Sequence, residues 1–553
     1  MVSRLLEESI SSSECKKACN FKKASLSTFK FSPRPYLLLK ITKISKCLSF
    51  LLLLNTQLLS WQEAARANNL AVSPNRSMNS TQVSQAEKPQ SSSALICPAQ
   101  LGSAIDAVTN RPEFSRTRWG ILIQPLSTNS KLPARTLYSR EPERYFIPAS
   151  NTKLLTTAAA LNKLGSQFRI RTSVYGTNGG DLRVVGRGDP SFSDTQMRGL
   201  AQQLKRQGIS QVQQLIVEDD YFQGQAVNPS WEWGDLQAPY AAPINSLILN
   251  QNATVLTLSP RSPGQPLQTA WIDPIAIAQW QIENNTVTSE AKSPASIAVS
   301  AVLGKPVLQI KGQLPAGTEP ASLGVAILDP SKYFLQHFRR ALVIAGIPVA
   351  QSQVGSGKER GDERELAAVE SPPLETLLVE TNQNSNNLYA EALLRTLGAT
   401  SKGEETPPLE NSAALGLAAV KQVLTELGVD PNSYAIADGS GLSRQNLVSP
   451  KALVQTLEAI AQTKEAAIYR ASLPVAGVSG TLKSRFQNTP VQGIVQAKTG
   501  TMSGTVSLSG YMSHPEYQTI VFSILVNQSD QSASSIRQAT DEIVLLLTRL
   551  RRC

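Results

Sequence analysis

The chain has 553 residues, of which 41% are hydrophobic and 17% charged, a composition typical of globular proteins. Because this length exceeds one ordinary hydrophobic core, we expect two or three domains. The formal net charge is +11, but residues 1–67 alone carry 11 Lys and Arg against 4 Asp and Glu. No basic stripe or aromatic-basic motif follows, so the composition argues against nucleic-acid binding.

Residues 1–67 have the pattern of a signal peptide. A basic region precedes an apolar run at 47–61, and a small-residue cleavage site follows at 65–67. The run is short for a membrane-spanning helix and is interrupted by Asn55 and Gln57. Cleavage and retention as an N-terminal anchor both stay open, and either predicts export to the periplasm or cell envelope.

An Asn-, Ser- and Gln-rich stretch at 68–94 predicts a flexible leader, with order beginning near Leu95. A helix at Pro98–Thr109 is expected next. A strand at Trp119–Gln124 and a hairpin partner at Thr136–Ser139 should follow.

The middle of the chain, residues 168–365, has short strand-like runs separated by turn signals, which predicts a β-rich region. A helix from Ser331 to Ala345 is expected within it. Helical pattern returns after Pro373, and a strand pair at Val506–Met512 and Thr519–Val526 precedes a last helix at Ser535–Leu550. The two ends of the chain therefore have α/β character, and the middle is expected to be an insertion.

Cysteine and histidine usage limits the chemistry. Cys97 and Cys553 are the two cysteines outside residues 1–67, and they could form one disulfide or remain free thiols. His337 lies in a helix-like run and His514 in a turn, and neither context favours a Ser-His-Asp triad or a zinc site. A serine enzyme built on this chain is therefore expected to use a base other than histidine.

A serine and a lysine three residues apart, Ser150 and Lys153, open an apolar segment. In a helix this spacing places both side chains on one face. A lysine whose charge is disfavoured can take the serine proton and create a nucleophile. The same spacing begins at Ser13, Ser27 and Ser289, but only the pair at 150 opens an apolar helix.

A second cluster, Ser385-Asn386-Asn387, lies at the start of another apolar-periodic helix. Its hydroxyl can relay a proton and its amide can hold a substrate amide. For Asn386, a role as helix N-cap is the alternative.

The third cluster is Lys498-Thr499-Gly500-Thr501, and Lys-Thr-Gly occurs once in the chain. A lysine and a hydroxyl on an edge strand can receive a carboxylate, while Gly500 lets the backbone approach a ligand closely. A β-turn entering a hairpin is the alternative interpretation.

In this order the three motifs resemble those of the penicillin-binding protein and serine β-lactamase superfamily. The chain most resembles the class C low-molecular-weight penicillin-binding proteins, the D-alanyl-D-alanine carboxypeptidase/endopeptidase (DacB) family, in which two inserted domains fill the long gap after the first motif. Here 235 residues separate Ser150 from Ser385. Local strings at 186–190, 233–247, 438–444 and 473–485 also resemble the family, and the resemblance covers about residues 95–553.

The resemblance implies an α/β (α+β) transpeptidase-like domain, with an antiparallel sheet flanked by helices, formed by residues 95–167 and 366–553. The region 168–365 would hold two nested β-rich domains. No metal, cofactor or nucleic acid is implied.

The resemblance also implies a role for each motif residue. Ser150 would be the acylated nucleophile and Lys153 its general base, while Ser385 would pass a proton to the leaving D-alanine. The remaining expected roles are substrate-amide binding by Asn387, support of the proton network by Lys498, carboxylate binding by Thr499, and an oxyanion hole formed by the backbone N–H groups of Ser150 and Thr501.

The expected activity is that of a serine-type D-Ala-D-Ala carboxypeptidase acting on peptidoglycan stem peptides, with DD-endopeptidase action on crosslinks as a further expectation. β-Lactams would acylate Ser150. A serine β-lactamase and a non-catalytic peptidoglycan-binding envelope protein are the alternatives. For endopeptidase action, the acidic trio Glu218-Asp219-Asp220 is a candidate substrate contact, with a solvated turn as the competing interpretation.

Overall fold

The computed structural model describes residues 95–126, 135–176, 180–356, 363–401 and 411–553. The predicted signal peptide at 1–67 and leader at 68–94 lie outside these described residues. Within the described ranges, no helix combines the length and the apolar character that crossing a bilayer requires.

The helices of the described residues, in chain order, are α1 (Pro98–Thr109), α2 (Thr152–Leu164), α3 (Asp194–Arg206), α4 (Pro330–Ile344), α5 (Leu374–Gln383), α6 (Asn387–Thr400), α7 (Ser412–Glu426), α8 (Pro450–Ala461), α9 (Ala466–Ala471) and α10 (Ala533–Leu547).

The strands of the same ranges are β1 (Arg118–Pro125), β2 (Tyr138–Arg140), β3 (Arg171–Gly176), β4 (Leu182–Val185), β5 (Val212–Glu218), β6 (Ala253–Ser259), β7 (Gln268–Trp271), β8 (Gln281–Ser289), β9 (Ser296–Ala301), β10 (Val307–Pro315), β11 (Ala321–Ala326), β12 (Val349–Val354), β13 (Arg364–Glu370), β14 (Tyr434–Ala435), β15 (Leu447–Val448), β16 (Val495–Met502), β17 (Thr505–His514) and β18 (Gln518–Asn527).

Both ends of the described chain contribute to one five-stranded sheet with the order β16-β17-β18-β1-β2. All its neighbouring strands are antiparallel. Strand β18 shows why this sheet is buried on both faces: Val521 and Leu525 join one hydrophobic core, whereas Phe522 and Ile524 join another. Successive side chains of a strand point to opposite faces, so a nearly continuous apolar run fits a sheet covered by helices on each side.

Helix α2 lies inside the first of these cores. A single 3₁₀ turn at Ala149–Asn151 precedes it, and its residues 152–161 are all buried. A helix that is buried all round can place a polar side chain in an apolar environment. At its end, Gly165 has a φ of 80°, a conformation that favours glycine. Lys153 is therefore carried on one of the most enclosed helices of the fold.

The region between α2 and α5 forms a second five-stranded sheet, β12-β5-β4-β3-β13, and two three-stranded sheets, β8-β10-β9 and β11-β6-β7. The five-stranded sheet and the pair of small sheets have separate hydrophobic cores. Strand β13 crosses the expected boundary at residue 365 and pairs with β3. We therefore propose that the inserted region extends to about Glu370.

Helix α3 was missed by the sequence analysis, which expected strands and a single helix in this region. Its mostly polar sequence buries only Met197, Leu200, Ala201 and Leu204. These residues follow the i, i+3, i+4, i+7 spacing of an amphipathic helix. The sequence therefore contained a helical pattern, but its apolar face is only one residue wide in most turns.

The ends of the described chain are joined by a disulfide between Cys97 and Cys553, whose Cα atoms are 5.6 Å apart. Next to it, the backbone of Ile96 bonds to Arg549 and Arg551 at 2.8 and 2.9 Å. Of the two alternatives for these cysteines, the structure has the disulfide.

We expect removal of this disulfide to destabilise the protein, because the bond closes a sequence separation of 456 residues and so restricts the unfolded chain. In protein lacking residues 1–67, Cys97→Ser with Cys553→Ser should lower the free energy of unfolding by about 2–5 kcal/mol. Thermal unfolding with and without reductant measures this. Reductant should lower the Tm of the parent and leave that of the variant unchanged; equal Tm values throughout would contradict the prediction.

Candidate active site

Ser150 and Lys153 lie together in a site where the central helix meets the sheet. Ser150 belongs to the 3₁₀ turn that leads into α2, and Lys153 lies in the first turn of α2. The Lys153 Nζ donates to Ser150 Oγ at 3.0 Å. It also donates to the Asn387 Oδ1 and to the Ser440 carbonyl, each at 2.6 Å. The predicted pair therefore has the separation that direct proton transfer requires.

Burial controls the charge of Lys153. The side chain is completely buried, and this desolvation lowers its pKa to about 7 although the carboxylates of Asp438 and Glu391 act in the opposite direction. With this pKa, about half of the Lys153 amines are neutral near pH 7 and can accept a proton.

The second motif meets Lys153 at the start of α6. Asn386 is the N-cap of that helix, its side chain accepting from the Tyr389 N–H at 3.2 Å, so the N-cap alternative describes Asn386. Asn387 points its Oδ1 at Lys153, and its Nδ2 donates to the carbonyl of Tyr240 at 2.9 Å. Tyr240 belongs to the inserted region, which therefore orients the Asn387 amide.

Ser385 and Lys498 form a second serine–lysine pair in the site. Ser385 has a φ of 57°, in the left-handed region, and its Oγ accepts from Lys498 Nζ at 2.9 Å. Lys498 is completely buried. Burial and the charge of Lys153 together hold the Lys498 pKa well below its usual value.

The third motif lies within β16, at the edge of the five-stranded sheet, and not in a turn. A Cβ on Gly500 would overlap the Ser507 hydroxyl and lie 3.0 Å from the Ser150 backbone nitrogen. Strand β16 therefore passes directly against the backbone of Ser150, as the glycine allows. Thr499 Oγ1 lies 2.7 Å from Thr481 Oγ1, and the Thr501 side chain is exposed.

The loop at 438–444 completes the surroundings of Lys153, although the sequence analysis gave it no role. Asp438 is buried and accepts from the backbone N–H groups of Gly441 and Ser443 at 2.7 Å. It also accepts from Trp231 Nε1, in the inserted region, at 3.0 Å. The Gly- and Ser-rich string signalled a tight loop, but nothing local indicated that the Ser440 carbonyl would face Lys153.

Glu391 was also missed. Its Oε1 accepts from the N–H groups of Gly439 and Ser440 at 2.8 Å each. A single glutamate within an apolar helix carries no motif, so the sequence offered no signal for it.

Two members of the acidic trio at 218–220 have partners within the protein, and the third, Asp220, is exposed. Glu218 pairs with Arg183 at 2.9 Å. Asp219 is largely buried, and its carboxylate accepts from the Ser246 N–H at 2.7 Å and from the hydroxyl of Ser331. These two carboxylates have partners inside the inserted region, which argues against the solvated-turn alternative for them, whereas the substrate-contact hypothesis stays a prediction.

The histidines lie outside the site. His337 Nε2 contacts Asp273 at 2.8 Å, and His514 Nδ1 accepts from the Glu516 N–H at 3.1 Å. Lysine is thus the basic group adjacent to Ser150 in this arrangement.

Comparison with known proteins places the chain among penicillin-binding enzymes. The model of the D-Ala-D-Ala carboxypeptidase 3 (S13) family matches residues 101–550. A D-alanyl-D-alanine carboxypeptidase of Actinomadura sp. (strain R39) is 32% identical over 451 residues, which cover 77% of this chain and 81% of the relative.

Solved structures agree with this match. Penicillin-binding protein 4 (dacB) of Haemophilus influenzae has a TM-score of 0.70 and 25% identity, covering 80% of this chain and 99% of that one. The same protein complexed with a β-lactam has a TM-score of 0.64, with 25% identity over 80% and 98% of the two chains. The predicted fold class and the resemblance to the DacB family are confirmed. The chain belongs to the D-Ala-D-Ala carboxypeptidase 3 (S13) family.

Proposed function

We propose that this chain is a serine-type D-Ala-D-Ala carboxypeptidase that acts on peptidoglycan stem peptides through an acyl-enzyme. One observation carries the proposal: the completely buried Lys153 Nζ lies 3.0 Å from Ser150 Oγ, with a pKa lowered to about 7. An ordinary serine hydroxyl is a weak nucleophile, and an adjacent neutral amine activates it.

Acylation begins when Lys153 accepts the Ser150 proton and Oγ attacks the carbonyl carbon between the two D-alanines. Oxygen charge develops on that carbonyl, and the backbone N–H groups of Ser150 and Thr501 stabilise it. Gly500 supports this geometry because it lets β16 lie against the backbone of Ser150.

Collapse of the tetrahedral intermediate breaks the C–N bond and requires a proton on the leaving nitrogen. The proton that Lys153 took from Ser150 is returned to the leaving nitrogen through the hydroxyl of Ser385. Lys498 supports this transfer, because its Nζ donates to the Ser385 hydroxyl at 2.9 Å. Free D-alanine leaves, and the penultimate D-alanine remains as an ester on Ser150.

Water then attacks this ester while Lys153 accepts a proton from it. The returning proton restores the Ser150 hydroxyl, so the cycle needs no metal or cofactor. Thr499 and the neighbouring Thr481, with hydroxyls 2.7 Å apart, are suited to the terminal carboxylate of the substrate. Asn387 binds the peptide amide.

A fluorescent penicillin and defined muropeptides test the proposal. Wild type should be labelled and should release D-alanine from monomeric stem peptides; Ser150→Ala should do neither. Persistent labelling separates this enzyme from a serine β-lactamase, which would turn the β-lactam over rapidly. Folded wild-type protein that is neither labelled nor active would support the non-catalytic alternative.

DD-endopeptidase action on crosslinks is a second candidate. Arg444 donates to Glu232 at 3.1 Å and to the Ser503 carbonyl at 3.2 Å, linking the inserted region to the end of the β16 strand. Asp235 accepts from the hydroxyl of Tyr240, whose carbonyl holds Asn387. Glu232 differs from the enclosed Glu218 because 56% of its side chain is exposed, so it can also meet a cationic group on a substrate side chain. Mass spectrometry of crosslinked dimers after digestion decides this, because monomer release requires endopeptidase activity.

Export to the periplasm or cell envelope, directed by residues 1–67, completes the proposal. A substrate in the cell wall requires it. Fractionation of the full chain and N-terminal sequencing of the product would test both export and cleavage near Ala67.

A further inference from the structure

Helix α6 carries a buried carboxylate that the proposed reaction does not use. Glu391 lies one turn after Asn387 and is completely buried. Its Oε1 accepts two backbone N–H groups at 2.8 Å. Its Oε2 is buried without a hydrogen-bond partner among the residues that the structure describes. A buried polar atom without a partner is costly, so its presence invites a functional explanation.

The two N–H groups connect Glu391 to the base. They belong to Gly439 and Ser440, and the carbonyl of Ser440 accepts from Lys153 Nζ at 2.6 Å. Asn387, on the same face of α6, contacts the same Nζ at 2.6 Å. Helix α6 therefore reaches Lys153 twice, directly through Asn387 and indirectly through the Ser440 peptide group.

Charge connects the same groups. Asp438 and Glu391 are the acidic groups that favour the charged form of Lys153, and Lys498 is the cationic group that interacts with it. Burial raises the Glu391 pKa to about 7, as does the Asp438 charge, while Arg395 one turn further along α6 lowers it. Burial therefore disfavours the charged forms of both Glu391 and Lys153, and the charge of each favours the charge of the other.

We propose that Glu391 is a positioning residue. It holds the Gly439–Ser440 peptide group against Lys153, and its negative charge favours the protonated form of the lysine. This inference rests on the proposed role of Lys153 as the base for Ser150. Glutamate fits this position because one of its oxygens accepts both N–H groups. Because the side chain is buried, water does not screen its charge from Lys153.

Glu391→Gln separates charge from shape, because its Oε1 can still accept both N–H groups. The second-order rate constant for acylation by a fluorescent penicillin should be measured from pH 5 to 9. The acidic limb of this profile, where the rate rises with pH, reports the pKa of the base in the free enzyme. Without the carboxylate charge, neutral Lys153 is favoured, and the midpoint of the limb should move to lower pH by about half a unit to one unit.

Glu391→Asp provides the complementary variant. It keeps the charge but shortens the side chain, so it cannot hold the loop in the same place. We expect the plateau rate to fall about tenfold with the acidic limb much less displaced than in Glu391→Gln. Glu426→Gln, which removes an exposed carboxylate that accepts from Gln422 on α7, is the matched control and should behave as wild type.

An unmoved acidic limb in folded Glu391→Gln would overturn the inference, even if the plateau rate falls, because a purely structural residue gives that result. If Glu391→Gln does not fold, a wild-type plateau in Glu391→Asp overturns it. Ser150→Ala measured in parallel keeps the two proposals apart. Labelling of Ser150→Ala at the wild-type rate would refute the proposed function, whereas its loss together with an unmoved Glu391→Gln limb would refute only the role of Glu391.

Discussion

Lys153→Met should reduce the rate of acylation by penicillin and the release of D-alanine by roughly 10²–10⁴-fold, the usual contribution of a general base. Methionine has a similar length and shape but cannot accept the Ser150 proton. Because methionine fills nearly the same buried volume, the protein should still fold, although the Asn387 Oδ1 and the Ser440 carbonyl lose their donor and some stability is lost. Stopped-flow labelling and D-alanine release measure the effect.

The same role of Lys153 predicts the direction in which the acylation rate of the wild type changes with pH. Lys153 has a pKa lowered to about 7, so the acylation rate should rise as pH increases through about 7 and the amine loses its proton. This rise should be absent from the residual rate of Lys153→Met. Lys451→Met is the control, since that lysine is partly exposed and pairs with Glu143 at 2.9 Å. A Lys153→Met enzyme with wild-type rates would rule out this lysine as the base.

Gly441→Ala should reduce acylation at least about 100-fold, since small displacements of a reacting group have effects of this size. Gly441 has a φ of +85°, and an added Cβ would overlap the Ala149 carbonyl oxygen and lie 3.0 Å from the Ser150 backbone nitrogen. Ala149 itself has a φ of 48°. The turn that contains Ser150 is therefore already strained at the residue that the added methyl group would contact. Overlap and left-handed strain should together cost about 2–4 kcal/mol of stability.

Gly428→Ala is the matched control for this substitution. Gly428 has a φ of +89°, but no atom lies within 4 Å of a Cβ added there. It should lose about 1–2 kcal/mol from left-handed strain and keep its acylation rate. Comparison of Tm and labelling rate in the two variants separates strain from displacement of Ser150. Equal activity of Gly441→Ala and Gly428→Ala would contradict the predicted contact.

Local sequence pattern predicted much of the fold near the site. The helix at Pro98–Thr109 has the expected bounds, and the strands around 119–124, 506–512 and 519–526 are present with slightly longer limits. These segments have strong periodicity or long apolar runs. Helix α3 was missed because its apolar stripe is narrow. The continuation of the inserted sheet to Glu370 was missed because the pairing of β3 with β13 joins residues far apart in sequence.

The sequence by itself determined the order of the three motifs, their residue types, the scarcity of histidine and the long gap that marks an insertion. Tertiary structure decided which groups meet. It brought Lys153 to Asn387 across 234 residues and Lys498 to Ser385 across 113. It also placed Tyr240, Ser440 and Glu391 around them. The reason is physical: a lysine becomes a base only when packing removes it from water, and burial depends on contacts between distant segments.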